Sequence, residues 1–329
     1  MADRDGGRLA DAVTPRLLVL DDREGLLRDS PGGRRLTELA DTRFLDVPLA
    51  DVPDAELVGV TAIVTIRERT RLDAGTLARF PDLGIVLQTG GHAYHVDLAE
   101  TARRGIPVTL WRTSAAPEAA MRELTFGLAI AALRRFPEAT RAFDAGAWPP
   151  LLGGTLAGRR LGVLGMGRQG RAVAELGRAF GMDVVAWARP GGAPATDDVP
   201  RLDLDELLAT TDVLSVNLRL TDESRGLLDR DRLREMKPGS VLVNTARGAI
   251  VDEVALAEVL RDGPLRAAGL DVFAVEPLPA DSPLRTLPNV VLAPHVGWVV
   301  EETFAEFAQN VADQYADHLA GRLPASELA

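Results

Sequence analysis

From Arg16 onward, short apolar runs rich in Val, Leu and Ile alternate with stretches whose apolar residues recur at helical spacing. The first set reads RLLVLDD, GGRRLTELAD, TRFLDVPL, VGVTAIVTIR, LDAGTLARF, LGIVLQTG, VDLAETARRG and IPVTLW, and ends near Trp111. Strands interleaved with helices of this length predict βαβ units and a mainly parallel sheet, because parallel neighbours need a crossover between them. A helical stretch then runs over about Pro117–Ala145, up to the turn signal GAWPP, and can link two domains. After it the alternation restarts with RRLGVLGMGRQGRAVAELGRAFG, MDVVAWARP, DLDELLATTD, VLSVNL, SVLVNTARG, VDEVALAEVLRDG, AAGLDVFAVEP and NVVLAPHVGW. The last segment, EETFAEFAQNVADQYADHLAGRL, is helical by the spacing of its Phe, Val, Tyr and Leu and can return to the first domain. RPGGAPATDDVP reads as a loop of turn formers.

The pattern therefore predicts an α/β fold of two doubly wound parallel-sheet domains. Length agrees, since 329 residues are long for a single core. An apolar fraction of 46% and a charged fraction of 26% are those of a soluble globular protein. The net charge of −11 counts against nucleic acid or an anionic membrane surface as the main partner, since both need a basic footprint. No apolar run approaches the ~20 residues that span a bilayer, and the N-terminus has no apolar signal core, so the expected location is the cytoplasm. With no cysteine, disulfides, thiolate zinc sites and cysteine nucleophiles are excluded together.

In LGVLGMGRQG, Gly165, Gly167 and Gly170 have the spacing G-x-G-x-x-G, with Met166, Arg168 and Gln169 between them, directly after a strand and at the start of a helix. The first glycine allows a tight turn, the second lets a pyrophosphate approach the backbone, and the third lets the helix close on the strand. The phosphates then sit at the helix N-terminus. Sites for NAD usually carry Asp or Glu ~20 residues further on, to bind the ribose 2′-hydroxyl. Here Ala188 and Arg189 occupy that place. No carboxylate repels a 2′-phosphate and a guanidinium can pair with it, so NADP(H) is favoured, or dual use with NAD(H). A solvated loop arginine is the other reading of Arg189.

Arg247 lies three residues past VLVN, Glu276 three past GLDVF and His295 two past VVLA. Singly they read as an arginine in a turn, a glutamate before proline and a histidine capping a strand. If the three runs are strands of one parallel sheet, however, their C-terminal ends share an edge and face one crevice. Histidine changes charge near neutral pH, a carboxylate beside it favours imidazolium, and a guanidinium can grip a carboxylate or polarise a carbonyl. Those are the parts that hydride transfer to an oxo group needs. Asp271, within the apolar GLDVF, either points into the crevice and binds a nicotinamide amide or is a charge at a strand end.

GMGRQG, MKPGSVLVNTARGAIVDEVAL, GLDVFAVEPLP and APHVGW occur in the order seen in D-isomer-specific 2-hydroxyacid dehydrogenases, and the chain resembles that family over nearly all its length. The resemblance implies a flavodoxin-like substrate domain made of residues 16–112 plus 297–329, a Rossmann-type cofactor domain over 113–296, a cleft between them, and a homodimer; residues 1–15 read, from their own sequence, as a poorly ordered N-terminus. It implies Arg247 as the substrate-orienting arginine, Glu276 as partner of the histidine, His295 as acid/base, and Thr245 and Ala246 as cofactor contacts. QTGGHAYHVD matches the family's substrate loop, which gives Thr89, Gly90 and Gly91 the substrate carboxylate. The implied reaction moves hydride between nicotinamide and C2 of a small 2-oxo or 2-hydroxy acid. Two departures stand out: the acid missing after VVAW, and a loop around His92 and His95 unlike the usual glycine-rich one. Two histidines without further ligands make a poor zinc site, so no metal is expected. Related folds leave two alternatives, oxidation of a hydrated aldehyde, phosphonate or phosphite-like substrate, and dinucleotide sensing without catalysis.

Overall fold

The computed structural model describes residues 14–111, 115–189 and 198–329. The expectation for residues 1–15 falls almost entirely outside them, as does most of the loop RPGGAPATDDVP. The chain forms two compact units, one up to Ala116 together with Glu301–Ala329, the other Pro117–Val300. These breaks fall slightly later than the sequence pattern suggests. No helix of the described residues is long and apolar enough to cross a membrane.

The first unit contains β1 (Arg16–Leu20), α1 (Leu26–Asp29), α2 (Pro31–Leu39), β2 (Asp41–Phe44), α3 (Asp54–Leu57), β3 (Val60–Thr65), α4 (Ala74–Ala78), β4 (Ile85–Gln88), α5 (Leu98–Arg103) and β5 (Val108–Thr109). Its strands pair in parallel in the order β2-β1-β3-β4-β5, the flavodoxin-like arrangement. β4 is buried at every residue because helices cover both sheet faces, so IVLQ is a near-continuous apolar run. The C-terminal helix of the chain, Glu301–Leu319, packs on α2 through Gly32, where a Cβ would come within 2.2 Å of the Ala308 carbonyl carbon.

The second unit adds α6 (Ala116–Leu133), α7 (Phe136–Asp144), β6 (Arg160–Leu164), α8 (Arg168–Ala179), β7 (Asp183–Trp187), α9 (Leu204–Thr210), β8 (Val213–Val216), α10 (Arg230–Arg234), β9 (Val241–Asn244), α11 (Glu253–Asp262), β10 (Ala267–Leu270) and β11 (Val290–Leu292), leaving α12 for Glu301–Leu319. The sheet order is β11-β10-β9-β8-β6-β7, all parallel, and an isolated parallel bridge from Ala186 to Arg201 extends it beyond β7. Counting that bridge as the third position gives the Rossmann order, in which the strand sequence reverses between β6 and β8. Alternate residues divide between two cores: Leu214, Leu242 and Ala268 on one face, Val213, Val241, Val243 and Ala267 on the other. Gly269 lets α6 lie against β10, since a Cβ there would be 2.7 Å from that of Leu128.

The single helix expected over Pro117–Ala145 is two. α6 stops at Leu133, Arg135 turns left-handed at φ 58°, and α7 begins with Pro137 in its first turn. A proline in mid-helix lacks the N–H for the ladder and presses its ring on the carbonyl four residues back, which here is Leu133. In a first turn the missing N–H costs nothing.

Candidate active site

The turn between β6 and α8 assigns each of its glycines a separate task. Gly165 has φ 105°, and a Cβ on it would be 2.9 Å from the Asn217 carbonyl oxygen. At Gly170 a Cβ would fall 1.9 Å from the Gly165 oxygen, so only glycine lets α8 close on the turn. Gly167, which caps α8, has nothing within 4 Å of its Cβ position. Its backbone borders open space, and the first N–H groups of a twelve-residue helix lie there, where a pyrophosphate fits. Met166 is buried beside it, and among the described residues nothing pairs with the buried Gln169 Oε1. Arg168 is drawn to Glu118 of α6 at 2.9 Å. The turn thus fits a dinucleotide in shape and donor set.

At the end of β7, Arg189 donates from Nη2 to Thr221 Oγ1 at 2.9 Å and lies 3.7 Å from the Glu223 carboxylate. Both charged side chains are largely exposed, so their mutual attraction is weak. A hydrogen bond from Thr221, with help from Arg189, holds the Glu223 carboxyl below its ordinary value.

β9, β10 and β11 are neighbours, so the residues after Asn244, Leu270 and Leu292 emerge at one sheet edge. Asn244 shapes the first of these turns: its Nδ2 donates to the Arg247 carbonyl at 3.0 Å, and its Oδ1 accepts from Ala246 N–H at 3.0 Å. Thr245 Oγ1 meets Thr125 Oγ1 of α6 at 3.0 Å. Arg247 is exposed, and its Nη1 donates to the Ala246 carbonyl at 2.6 Å. Among the described residues its guanidinium makes no bond to Glu276 or His295. Its backbone is tied to the next turn all the same, because a Cβ on Gly248 would come within 1.9 Å of the Phe273 carbonyl carbon.

His295 and Glu276 meet. The distance from Nδ1 to Oε2 is 2.6 Å, and Glu276 Oε1 accepts from Phe273 N–H at 2.8 Å. Both carboxylate oxygens are therefore committed, and Nε2 is the ring nitrogen left for other work. The imidazole is fixed from its backbone side as well. His295 has φ 55°, a conformation that costs a non-glycine residue ~1–2 kcal/mol. Asp271 offsets that strain by accepting from Val296 N–H at 2.8 Å and Gly297 N–H at 2.9 Å, one per carboxylate oxygen. Burial pushes the fully buried Asp271 carboxyl up, while those two N–H bonds and the nearby His295 oppose it. Anchoring the histidine turn is a role for Asp271 that sequence reasoning did not raise. A cavity of about 600 Å³ borders the pair, walled by Phe273, Pro277, Leu278, Leu292 and Pro294.

In the first unit, Thr89, Gly90 and Gly91 follow β4. Thr89 Oγ1 accepts from Arg67 N–H at 2.9 Å, Trp111 N–H donates to the Gly90 carbonyl at 2.9 Å, and Gln88 Nε2 donates to the His92 carbonyl at 2.9 Å. The Arg67 guanidinium lies against Gly90, 3.1 Å from where its Cβ would be. His92 Nε2 is 3.0 Å from Glu68 Oε1, and the His92 ring stacks on Tyr94 at 4.3 Å. Burial pushes the His95 imidazole down from its ordinary value. Arg67 and Glu68 were missed in the sequence because they sit in a different loop, after β3. Among the described residues no cluster of three or more His, Asp or Glu could hold a metal ion.

Residues 126–297 match the family model for the D-isomer specific 2-hydroxyacid dehydrogenase, NAD binding domain. The chain belongs to this family. It is 39% identical over 296 residues to the D-3-phosphoglycerate dehydrogenase of Mycobacterium leprae, covering 87% of this chain and 54% of that one. The glyoxylate reductase of Aeropyrum pernix is also 39% identical, over 77% of this chain and 78% of its own. A crystal structure of a Thermus thermophilus protein superposes with a TM-score of 0.81 at 38% identity, covering 95% and 99% of the two chains. The chain spans about half the length of the mycobacterial dehydrogenases it matches. A nicotinamide dinucleotide is the cofactor of the family's domain found here.

Proposed function

We propose that this 2-hydroxyacid dehydrogenase relative catalyses reversible hydride transfer between a nicotinamide cofactor and C2 of a small 2-oxo or 2-hydroxy acid, with His295 as acid/base. The observation that carries this reading is the 2.6 Å contact between His295 Nδ1 and Glu276, at the sheet edge that also bears Arg247. A bound reduced nicotinamide supplies the hydride. With Nδ1–H directed at Glu276, the imidazolium holds its transferable proton on Nε2 and delivers it to the substrate's carbonyl oxygen. Glu276 stabilises that charged ring, and Phe273 N–H keeps the carboxylate aimed. Arg247 polarises the carbonyl and grips the carboxylate, with the Thr89–Gly91 backbone as its second holder. In the oxidative direction His295 takes the proton as base. Positioned acid/base groups of this kind contribute ~10²–10⁴-fold in rate.

Arg189, with no acid at the end of β7, supports NADP(H) over NAD(H), with dual use because Glu223 stands 3.7 Å from the guanidinium. Exchange of Arg189 for Ala then lowers the preference for NADPH about tenfold, the worth of one charge-assisted contact of ~1.4 kcal/mol. Phe136, Phe143, Trp148 and Leu152 are exposed within one short segment, and Phe143 meets Trp148 edge to face at 5.1 Å. An apolar patch of this kind supports a homodimer.

The test is to follow NADPH and NADH absorbance with glyoxylate first, as the Aeropyrum relative's name suggests, then hydroxypyruvate, pyruvate, bulkier 2-oxo acids, aldehydes and phosphite. Turnover with a 2-oxo acid is expected. Dinucleotide binding without turnover of any compound would overturn the proposal in favour of a sensing role.

A further inference from the structure

α11 opens with a carboxylate that its own helix does not need. Asp252 caps it, accepting from Val254 and Ala255 N–H at 3.0 Å each. Glu253, the next residue, sends its side chain away from the helix, and its Oε1 accepts from Ala274 N–H at 2.5 Å. The N–H just before that one, of Phe273, holds Glu276. Two successive peptide N–H groups thus bind two carboxylates, one belonging to the acid/base pair and one to α11. Gly248 presses on the same Phe273–Ala274 peptide, so the stretch from Gly248 to Glu253 grips the turn twice.

We infer that Glu253 is a positioning residue of this site, which holds the turn carrying Glu276 and so keeps that carboxylate aimed at His295. The inference rests on the acid/base reading of His295 only for its catalytic meaning. Burial pushes the Glu253 carboxyl above its ordinary 4.5, against the pull of Ala274 N–H, and the charge of Glu276 pushes it further up. The other charged groups around the pair have their own partners: Asp271 in the Val296 and Gly297 amides, Arg247 in the Ala246 carbonyl, and Arg285 in the Pro279 and Leu278 carbonyls. Glu253 and Glu276 are the two carboxylates that share one turn.

Two substitutions separate position from charge. Glu253→Gln keeps an acceptor for Ala274 N–H and removes the charge; Glu253→Ala removes both. On the intact chain the readouts are kcat for 2-oxo acid reduction, nucleotide affinity, and the positions of the His295 ring signals by NMR, assigned by their loss in His295→Gln. With Glu253→Gln, which keeps the grip on Ala274 N–H, kcat should stay within about threefold of the parent and the His295 ring signals should keep their positions. With Glu253→Ala, kcat should fall about tenfold or more at every pH while nucleotide affinity stays within about twofold, and Gln in place of Ala should restore most of it. A Glu253→Gln loss as large as that of Glu253→Ala overturns the inference, as does a Glu253→Ala loss confined to thermal stability and nucleotide binding. If the parent protein turns over no substrate, the catalytic proposal falls, and His295 ring signals displaced by Glu253→Ala and not by Glu253→Gln still decide whether Glu253 positions the pair.

Discussion

Each unit carries an imidazole–carboxylate pair past the strand ends of a parallel sheet: His295 with Glu276 at 2.6 Å, His92 with Glu68 at 3.0 Å. What stands behind the pairs differs. Glu276 is gripped at its second oxygen by Phe273 N–H, and the histidine turn is clamped to Asp271, which is fully buried. The two acids are about equally exposed, but Glu68 lies 3.8 Å from Arg67, and His92 stacks on Tyr94, itself 77% exposed. An imidazole near an acid is a common surface motif. It becomes a proton-transfer device when other groups fix both partners before substrate arrives.

The sharpest way to break this contrast is to remove each acid in turn. Glu276→Ala should lower kcat for reduction about 100-fold, and Glu68→Ala less than about threefold, measured at saturating substrate and nucleotide. Equal losses would erase the distinction between the pairs. A smaller effect is expected from the backbone. Gly248→Ala forces a Cβ to within 1.9 Å of the Phe273 carbonyl carbon, whereas at Gly90 a Cβ meets only the movable end of Arg67 at 3.1 Å. Denaturant titration should show Gly248→Ala losing about 1–3 kcal/mol and Gly90→Ala well under that; the reverse ranking would mean that the second unit's edge is the softer one.

The smallest effect concerns a histidine that is not in either pair. His95 is half-buried, both its ring nitrogens lack partners among the described residues, and burial lowers its pKa from the ordinary 6.5. The unfolded chain then binds its proton more readily, so the stability that neutral His95 contributes is present above 6.5 and is lost as pH falls through the lower folded value. His318 is lowered in the same way. Urea midpoints measured at pH 8 and pH 5 should drop less in His95→Phe than in the parent. Identical drops would show that His95 is not buried as a neutral ring.

The two α/β sheets were legible because parallel strands covered on both faces are unbroken apolar runs and their crossover helices keep a helical period. The break at Arg135 was missed because the stretch is rich in good helix formers and Pro137 alone marks it. At the site, Gly165, Gly167 and Gly170 could be read locally, since a turn and a helix start lie within six consecutive residues. The meeting of Glu276 with His295 could be inferred from strand ends. Asp271, Glu253 and Asn244 could not be assigned, since their partners are backbone N–H and carbonyl groups of turns whose path no side-chain pattern encodes. Arg67 and Glu68 escaped for a related reason: their contacts with Gly90 and His92 join loops of two different strands.

The most direct measurement is single-turnover reduction of an accepted 2-oxo acid by His295→Gln with nucleotide already bound. Hydride transfer slowed about 10³-fold, at unchanged nucleotide affinity, is the predicted result. A rate within about threefold of the parent would contradict the assignment of proton transfer to His295.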